Sequence, residues 1–425
     1  MTQCNAYRVL FLRLLAGHLI GLLAPLFLVC FALAEPGPLS SKNVTLVGNL
    51  DIDGGGMVDV QGSLAAVGHM GPPYATSLVD VADPARPRII SRIKARPGTH
   101  SHKARICGKT LVINVESYGV GGDGHAGLAL YHIDNPVEPR EIAFYAMGGM
   151  STGGTGVHRF QLDCSRKLVY ASGSADGFQG NITMIIDISN PAHPREIGRW
   201  WFPGQHIAGG ERSSWGGSSI RTHHPLRMGN RLYVSLWFGG FAILDISDIT
   251  KPRFTSHANY HNGDGSPTHT ALPVPHSING KYWLIVFDEE LGGSDPPAYM
   301  RVFDITDEKH PKQVGVFHVP RDPSGKTGGR FGAHQPHEHV GKDNLIYGAW
   351  FSGGLRVIDI SNPYLPREVG HYIPKPQKGE QYAQSNDVYV DDRGFIYLID
   401  RVRGLDIIKF VGEKKTNNVM HTELQ

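Results

Sequence analysis

One segment recurs along the chain and constrains the fold more than any other feature. An apolar strand ends in aspartate, a turn with proline follows, and a second strand begins, as in "TSLVDVADPARPRIIS" and "LRVIDISNPYLPREVG". The aspartates recur roughly every 50 to 60 residues, at Asp80, Asp134, Asp187, Asp245, Asp304 and Asp359. Residues 405 to 412, "LDIIKFVG", form a degenerate seventh copy. Self-similarity at such a period indicates an array of small supersecondary units.

Each copy predicts one four-stranded sheet. Aspartate or asparagine before proline starts a tight turn, because its side chain accepts backbone N–H groups. A further hairpin precedes each copy, for example "HPLRMGNRLYVSLW" before Asp245. Seven such units predict an all-β, seven-bladed β-propeller. The last copy lacks a fourth strand, so residues 44 to 50 are expected to pair with residues 405 to 411 and close the ring.

These segments resemble the LVIVD repeat family, and the resemblance extends over nearly all of the chain after its first 34 residues. It implies a propeller fold. It implies little about chemistry, because one fold supports many functions.

The N-terminal residues predict export. Arg8 and Arg13 precede an apolar run that ends in Ala32-Leu33-Ala34, a small-x-small cleavage pattern. We expect a signal peptide at residues 1–34, a propeller at 35–413, a disordered tail at 414–425, and a periplasmic or secreted protein with no stable membrane span after cleavage. The alternative is a retained membrane anchor. Cys107 and Cys164 either form a disulfide or stay free.

Composition narrows the classes of partner and reaction. The formal net charge is +2 and no basic stripe is present, so no nucleic-acid partner is expected. The sequence contains no G-x-S-x-G elbow, phosphate-binding P-loop or dinucleotide fingerprint. It does not specify the oligomeric state. The chemistry must therefore be sought in other residues.

Histidines recur where the first strand of five successive blades begins. These positions should meet at one mouth of the central channel, and neutral imidazoles there would suit a divalent metal. Iron or copper is favoured, and zinc or manganese would also fit. The alternative is a wet channel with a structural hydrogen-bond network. The predicted ligands are His102, His158, His223, His269 and one or both of His337 and His339, with His334 on the preceding loop.

Three further residues are predicted to act on a small-molecule substrate. Glu338 would move a proton or orient an imidazole, Glu289 follows a second strand near the same mouth, and Arg221 would hold an anionic group. Arg330 is a similar candidate. By analogy of architecture, the site is similar to the histidine-held metals of carotenoid-cleaving dioxygenases and selenium-binding-type thiol oxidases.

The sequence thus favours an exported metal-dependent oxidoreductase. Two alternatives stay open: a metal-dependent hydrolase or lyase at the same site, and a non-catalytic secreted binding or adhesion protein. The second alternative does not need histidine at matching positions of five blades.

Overall fold

The computed structural model describes residues 39–117, 126–148, 155–215, 220–261, 265–293, 297–320 and 328–412. The predicted signal peptide and C-terminal tail lie outside these residues. The described residues form 29 strands and one short 3-10 turn, Ile207–Gly209. Among them, no helix is long and apolar enough to cross a membrane.

The strands form six antiparallel sheets, five with four strands and one with nine. The nine-stranded sheet contains two successive blades joined by a short pairing of Thr155 and Gly156 with Ser117 and Glu116, so we number seven blades along the chain. Blade 1 contains β3 (Met57–Gln61), β4 (Leu64–Gly68), β5 (Tyr74–Asp80) and β6 (Arg88–Lys94). Blade 2 contains β7 (Thr99–His100), β8 (Ala104–Cys107), β9 (Thr110–Ser117), β10 (Gly127–His132) and β11 (Arg140–Ala146). Blade 3 contains β12 (Thr155–Asp163), β13 (Leu168–Gly173), β14 (Ile182–Asp187) and β15 (Arg195–Trp200).

The remaining four groups follow the same order along the chain. Blade 4 contains β16 (Pro225–Met228), β17 (Arg231–Ser235), β18 (Phe241–Asp245) and β19 (Arg253–Ala258). Blade 5 contains β20 (Thr268–Pro273), β21 (Trp283–Asp288), β22 (Met300–Asp304) and β23 (Lys312–Phe317). Blade 6 contains β24 (Leu345–Ala349), β25 (Leu355–Asp359), β26 (Arg367–Ile373) and β1 (Leu39–Ser40), and blade 7 contains β27 (Ser385–Val390), β28 (Phe395–Asp400), β29 (Gly404–Phe410) and β2 (Val44–Asp51).

The predicted closure by the N-terminal strand is confirmed. β2 pairs antiparallel with β29, from Val44 opposite Phe410 to Asp51 opposite Gly404. Gly48 of β2 lies so close to the next blade's turn that a Cβ atom there would be 2.1 Å from the carbonyl oxygen of Pro84. Gly198 of blade 3 would clash in the same way, at 2.3 Å, with the turn of blade 4. β2 therefore occupies the usual fourth-strand position. β1 was not expected and adds an edge strand to blade 6.

The repeated aspartates form the turns that the sequence predicts. Asp187 accepts the backbone N–H of Ser189 at 2.8 Å, and Arg195 pairs with the same carboxylate at 2.8 Å. Asp359 repeats both contacts with Ser361, at 2.8 Å, and with Arg367, at 2.9 Å. Each turn is thus fixed by local contacts. We call the turns that begin at the six repeated aspartates the Asp turns.

Apolar side chains pack between neighbouring blades. Trp283 and Phe287 of blade 5, for example, share one buried cluster with Trp350 and Ile358 of blade 6. A disulfide joins Cys107, at the end of β8, to Cys164, after β12, with Cα atoms 5.5 Å apart. It links the inner strands of blades 2 and 3 at the end opposite the histidines.

Candidate metal centre

Six imidazoles follow one another across blades 2 to 6. Ring centroids of successive members lie 4.5, 5.3, 4.8, 4.4 and 4.3 Å apart. We call this set the histidine arc; it consists of His100, His102, His158, His223, His269 and His334. Four of the predicted ligands therefore lie side by side, as the matching positions on the blades indicated.

Glu116 joins the blade 2 end of the arc. It lies on β9, opposite His100. Its Oε2 atom is 3.1 Å from Nε2 of His100 and 3.9 Å from Nδ1 of His102. Nδ1 of His158 also contacts its carboxylate, at 3.0 Å. One ligand atom from each of His100, His102 and Glu116 lies within 4.8 Å of the others, so the three could hold one ion.

Glu289 lies beside the histidines at the other end of the arc, as Glu116 does at the first end. It follows β21, and its Oε2 atom is 4.0 Å from Nε2 of His269, while its Oε1 atom is 3.9 Å from Nε2 of His334. Ligand atoms of His223, His269 and Glu289 form a second set within 4.8 Å.

His158 connects the two sets. Its Nε2 atom is 3.0 Å from Nε2 of His223. Two nitrogens that bind one metal at about 2.0–2.1 Å each stand roughly 3 Å apart when the bond angle is between 90° and tetrahedral. The middle of the arc therefore has a spacing that a shared metal ion would also produce.

Burial sets the protonation of four members of the arc. It lowers the pKa of His102, His223, His269 and His334 well below the usual histidine value. Burial alone would raise the pKa of Glu116, but the charge of His158 and hydrogen bonds from His100 and His158 lower it to about 2. Neutral imidazoles at His102, His223, His269 and His334 and an ionised Glu116 are the protonation states in which these groups bind transition metals.

Blade 6 contributes a different histidine from those predicted. The backbone N–H of His334 donates to Ala349 at 3.1 Å, as that of His223 donates to Ser235 at 2.9 Å, so His334 is the blade 6 counterpart of His223. The predicted ligands were aligned on the glycine in the turn of the hairpin that follows each histidine. His102 and His223 lie six residues before that glycine, whereas His334 lies seven residues before Gly341. Alignment on that glycine therefore missed it. The equivalent second-strand ends, "LWFGG" and "AWFSGG", carry the signal that identifies it.

His337 and His339 lie away from the arc. They line a cavity of about 360 Å³ with Asp59, Arg105 and Tyr389, near the opposite ends of the inner strands. His337 contacts the ring of Tyr389, with centroids 5.1 Å apart. Pro336 makes a single bridge to Gly348 in this segment, which is not a regular strand. The irregular backbone explains why strand alternation from the hairpin glycine does not describe it.

Glu338 belongs to a separate buried charge cluster. It pairs with Arg105, with Nη2 of Arg159 at 2.7 Å and with Nε2 of His224 at 3.2 Å. Burial alone would raise its pKa, but the charges of Arg105 and of other partners lower it well below the usual value. We call Glu338, Arg105, Arg159 and His224 the Glu338 cluster. Its contacts join blades 2, 3, 4 and 6 across the channel.

Two arginines stand beside the arc on matching aromatic residues. The guanidinium of Arg221 lies 4.5 Å from the ring centre of Trp237, and that of Arg330 lies 3.9 Å from that of Phe351. Trp237 in turn lies 4.9 Å from His223, and Phe351 lies 4.4 Å from His334. Both aromatic residues have positive φ, 56° and 42°, a strained conformation that often marks functional sites.

Comparison with solved structures supports the fold. The chain is similar to a chain of "Crystal Structure of Mitotic Checkpoint Complex", with a TM-score of 0.53 and 12% identity over 95% of this chain and 99% of the other. It is also similar to "Structure of U3-55K", with a TM-score of 0.55 and 9% identity over 87% and 98%. Such low identity establishes the fold alone. No curated protein matches the chain.

The strand groups and these neighbours define an all-β propeller, consistent with seven blades. Within it, residues 177–200, 228–259 and 342–373 match the LVIVD repeat family. The protein is therefore a β-propeller with LVIVD repeats, as its sequence predicted.

Proposed function

We propose that the histidine arc, with Glu116 and Glu289, binds a divalent transition metal, and that the protein is a metal-dependent oxidoreductase acting on a small organic substrate. The observation that carries the proposal is the pair of His-His-Glu sets, each with ligand atoms within 4.8 Å. Chance does not readily explain why imidazoles from five blades lie at the same level of the channel.

The donor set favours particular metals. Imidazole nitrogen with one or two carboxylates suits iron, copper, zinc or manganese, whereas calcium and magnesium prefer sites made entirely of oxygen. Several nitrogens and a carboxylate are typical of sites that keep an open position for substrate or dioxygen. We favour iron or copper, because both would supply redox chemistry.

The chain's own residues would shape that chemistry. Arg330 holds Glu289 at 2.7 Å, which fixes the carboxylate beside His269 and His334. Thr270 contacts Nδ1 of His269 at 2.7 Å, so Nε2 is the nitrogen turned toward Glu289. Such second partners orient metal ligands and set their basicity.

Metal analysis of the purified protein tests the proposal. We expect close to one or two equivalents of a single transition metal per chain, lost on treatment with chelator and restored by one of iron, copper, zinc or manganese. Dioxygen uptake that depends on the restored metal would support oxidation over hydrolysis. Protein that stays metal-free after incubation with all four metals would refute the proposal and favour the binding-protein alternative.

Export is part of the same proposal. The apolar run before Ala34 supports it, and cleavage would leave Glu35 at the N-terminus. N-terminal sequencing of protein recovered from the expected compartment tests this; recovery of Met1 there would contradict cleavage.

A further inference from the structure

Blades 4 and 6 each place an arginine, an aromatic ring and a histidine at the mouth of the channel. In blade 4 these are Arg221, Trp237 and His223. In blade 6 they are Arg330, Phe351 and His334. Trp237 bridges to Ile220, beside Arg221, and Phe351 bridges to Phe331, beside Arg330. The two triplets are therefore equivalent in backbone and in stacking.

The two arginines differ in their hydrogen-bond partners. Arg330 donates through Nη2 to Glu289 at 2.7 Å and through Nε to the backbone carbonyl of Glu290. Within the described residues, the side chain of Arg221 has no hydrogen bond or ion pair, and its buried Nε atom lacks a partner. A guanidinium N–H that is removed from water without a partner is costly, because that donor loses its solvation. Arg221 is only partly buried, and its two terminal nitrogens are not among the buried atoms.

The missing partner has a structural explanation. Thr268 pairs with Asp288 just before His269, and Val157 pairs with Gly173 just before His158. The next residue is Glu289 in blade 5 and Ser174 in blade 3. Arg330 therefore follows a blade that supplies a carboxylate, whereas Arg221 follows one that supplies a hydroxyl. The Ser174 hydroxyl is already engaged by Gly148 and Gly156.

Geometry and charge define what Arg221 would bind. Stacking on Trp237 covers one face of the guanidinium and leaves its edge for a planar, two-oxygen acceptor. In the metal-free protein, Glu116 and Glu289 formally balance Arg221 and Arg330 at this mouth, so a singly charged anion is favoured there over a dianion such as phosphate.

We infer that Arg221 is the substrate-binding residue of this site and that it binds the carboxylate of a small organic acid beside the histidine arc. This assignment deepens the proposed function and rests on it for the identity of the active site. The carboxylate would supply the partner that Ser174 does not, while Arg330 stays committed to Glu289.

Calorimetric titration with benzoate, acetate, benzamide and inorganic phosphate tests the assignment, at constant ionic strength and in both metal-free and metal-loaded protein. Benzamide is the neutral match of benzoate. We expect a carboxylate to bind the wild-type protein and benzamide to bind at least tenfold more weakly, because charge-assisted hydrogen bonds depend on the anion. Phosphate should bind the metal-free protein less tightly than the carboxylate does.

Three variants complete the design. Arg221→Gln should weaken carboxylate binding about tenfold or more, and Arg221→Lys should weaken it less, since lysine keeps the charge but not the fork. Arg367→Gln, on an exposed Asp turn, is the matched control and should leave binding unchanged. Circular dichroism checks that each variant is folded.

Three results would overturn the assignment: equal carboxylate affinity in wild type and Arg221→Gln, no binding of either carboxylate to the wild type, or tighter binding of phosphate than of carboxylate to the metal-free protein. Metal content measured in the same samples separates it from the proposed function. If the protein binds a carboxylate through Arg221 but takes up none of the four metals, the metal site alone is refuted. Bound metal with no dependence on Arg221 would refute this assignment alone.

Discussion

Asp187 and His158 lie in the same blade but have different kinds of partner. Asp187 contacts Ser189 and Arg195, both within eight residues of it in the sequence. His158 contacts Glu116 and His223, which come from the two neighbouring blades. The Asp turns are therefore local and repeated, whereas the channel residues depend on the assembled ring. The repeated Asp turns form the scaffold, whereas the candidate site is formed by residues that do not follow the repeat.

The Glu338 cluster should show the largest effect on stability, because it joins four blades. Glu338→Gln would leave Arg105 and Arg159 partly unpaired in a buried setting, at a cost of about 3 to 5 kcal/mol in the free energy of unfolding. Urea denaturation at pH 7 measures the loss. A change below about 1 kcal/mol would show that the cluster does not hold the blades together.

The same cluster predicts a pH dependence. The pKa of Glu338 is lowered in the folded protein, from an ordinary value of 4.5. Its contribution is thus fully present above that value and declines as the pH falls toward the lowered pKa. The difference in stability between wild type and Glu338→Gln should be constant near neutral pH and narrow below about pH 4.5. A difference that grew under acid would contradict the lowered pKa.

The disulfide between blades 2 and 3 should have the next largest effect. Cys107→Ser together with Cys164→Ser opens a loop with a sequence separation of 57 and should cost about 2 to 4 kcal/mol. The histidine arc lies at the other end of these strands, so metal content should stay near the wild-type value. Thermal unfolding with and without reductant, followed by metal analysis, checks both parts.

A single Asp turn should show the smallest effect. Arg195→Ala removes an exposed partner of Asp187, and such surface pairs contribute roughly 0 to 1 kcal/mol. Asp187 keeps the hydrogen bond that forms the turn. The same urea denaturation measures the change. A loss above about 2 kcal/mol in the free energy of unfolding would show that the turns stabilise the blades beyond their local contacts.

This contrast also explains what the sequence could predict. The Asp turns depend on residues that are close in the sequence. The sequence could therefore predict the blades, their order and the closure of the ring by residues 44 to 50. His102, His158, His223 and His269 could be predicted because each lies in the inner strand of its blade or two residues before it. His334 could not, because Pro336 and an extra residue interrupt the regular spacing in blade 6. The partners of Glu338 come from other blades, which no local pattern specifies.

Metal content of two histidine variants tests the central claim most directly. His223 is buried in the arc beside His158 and His269, whereas His310 is exposed in the Asp turn of blade 5, where it contacts Asp307 at 2.7 Å. We expect His223→Ala to lose most of its bound metal while its β-type circular dichroism is kept, and His310→Ala to keep both. Equal metal content in the two folded variants would contradict the assignment of the histidine arc as a metal centre.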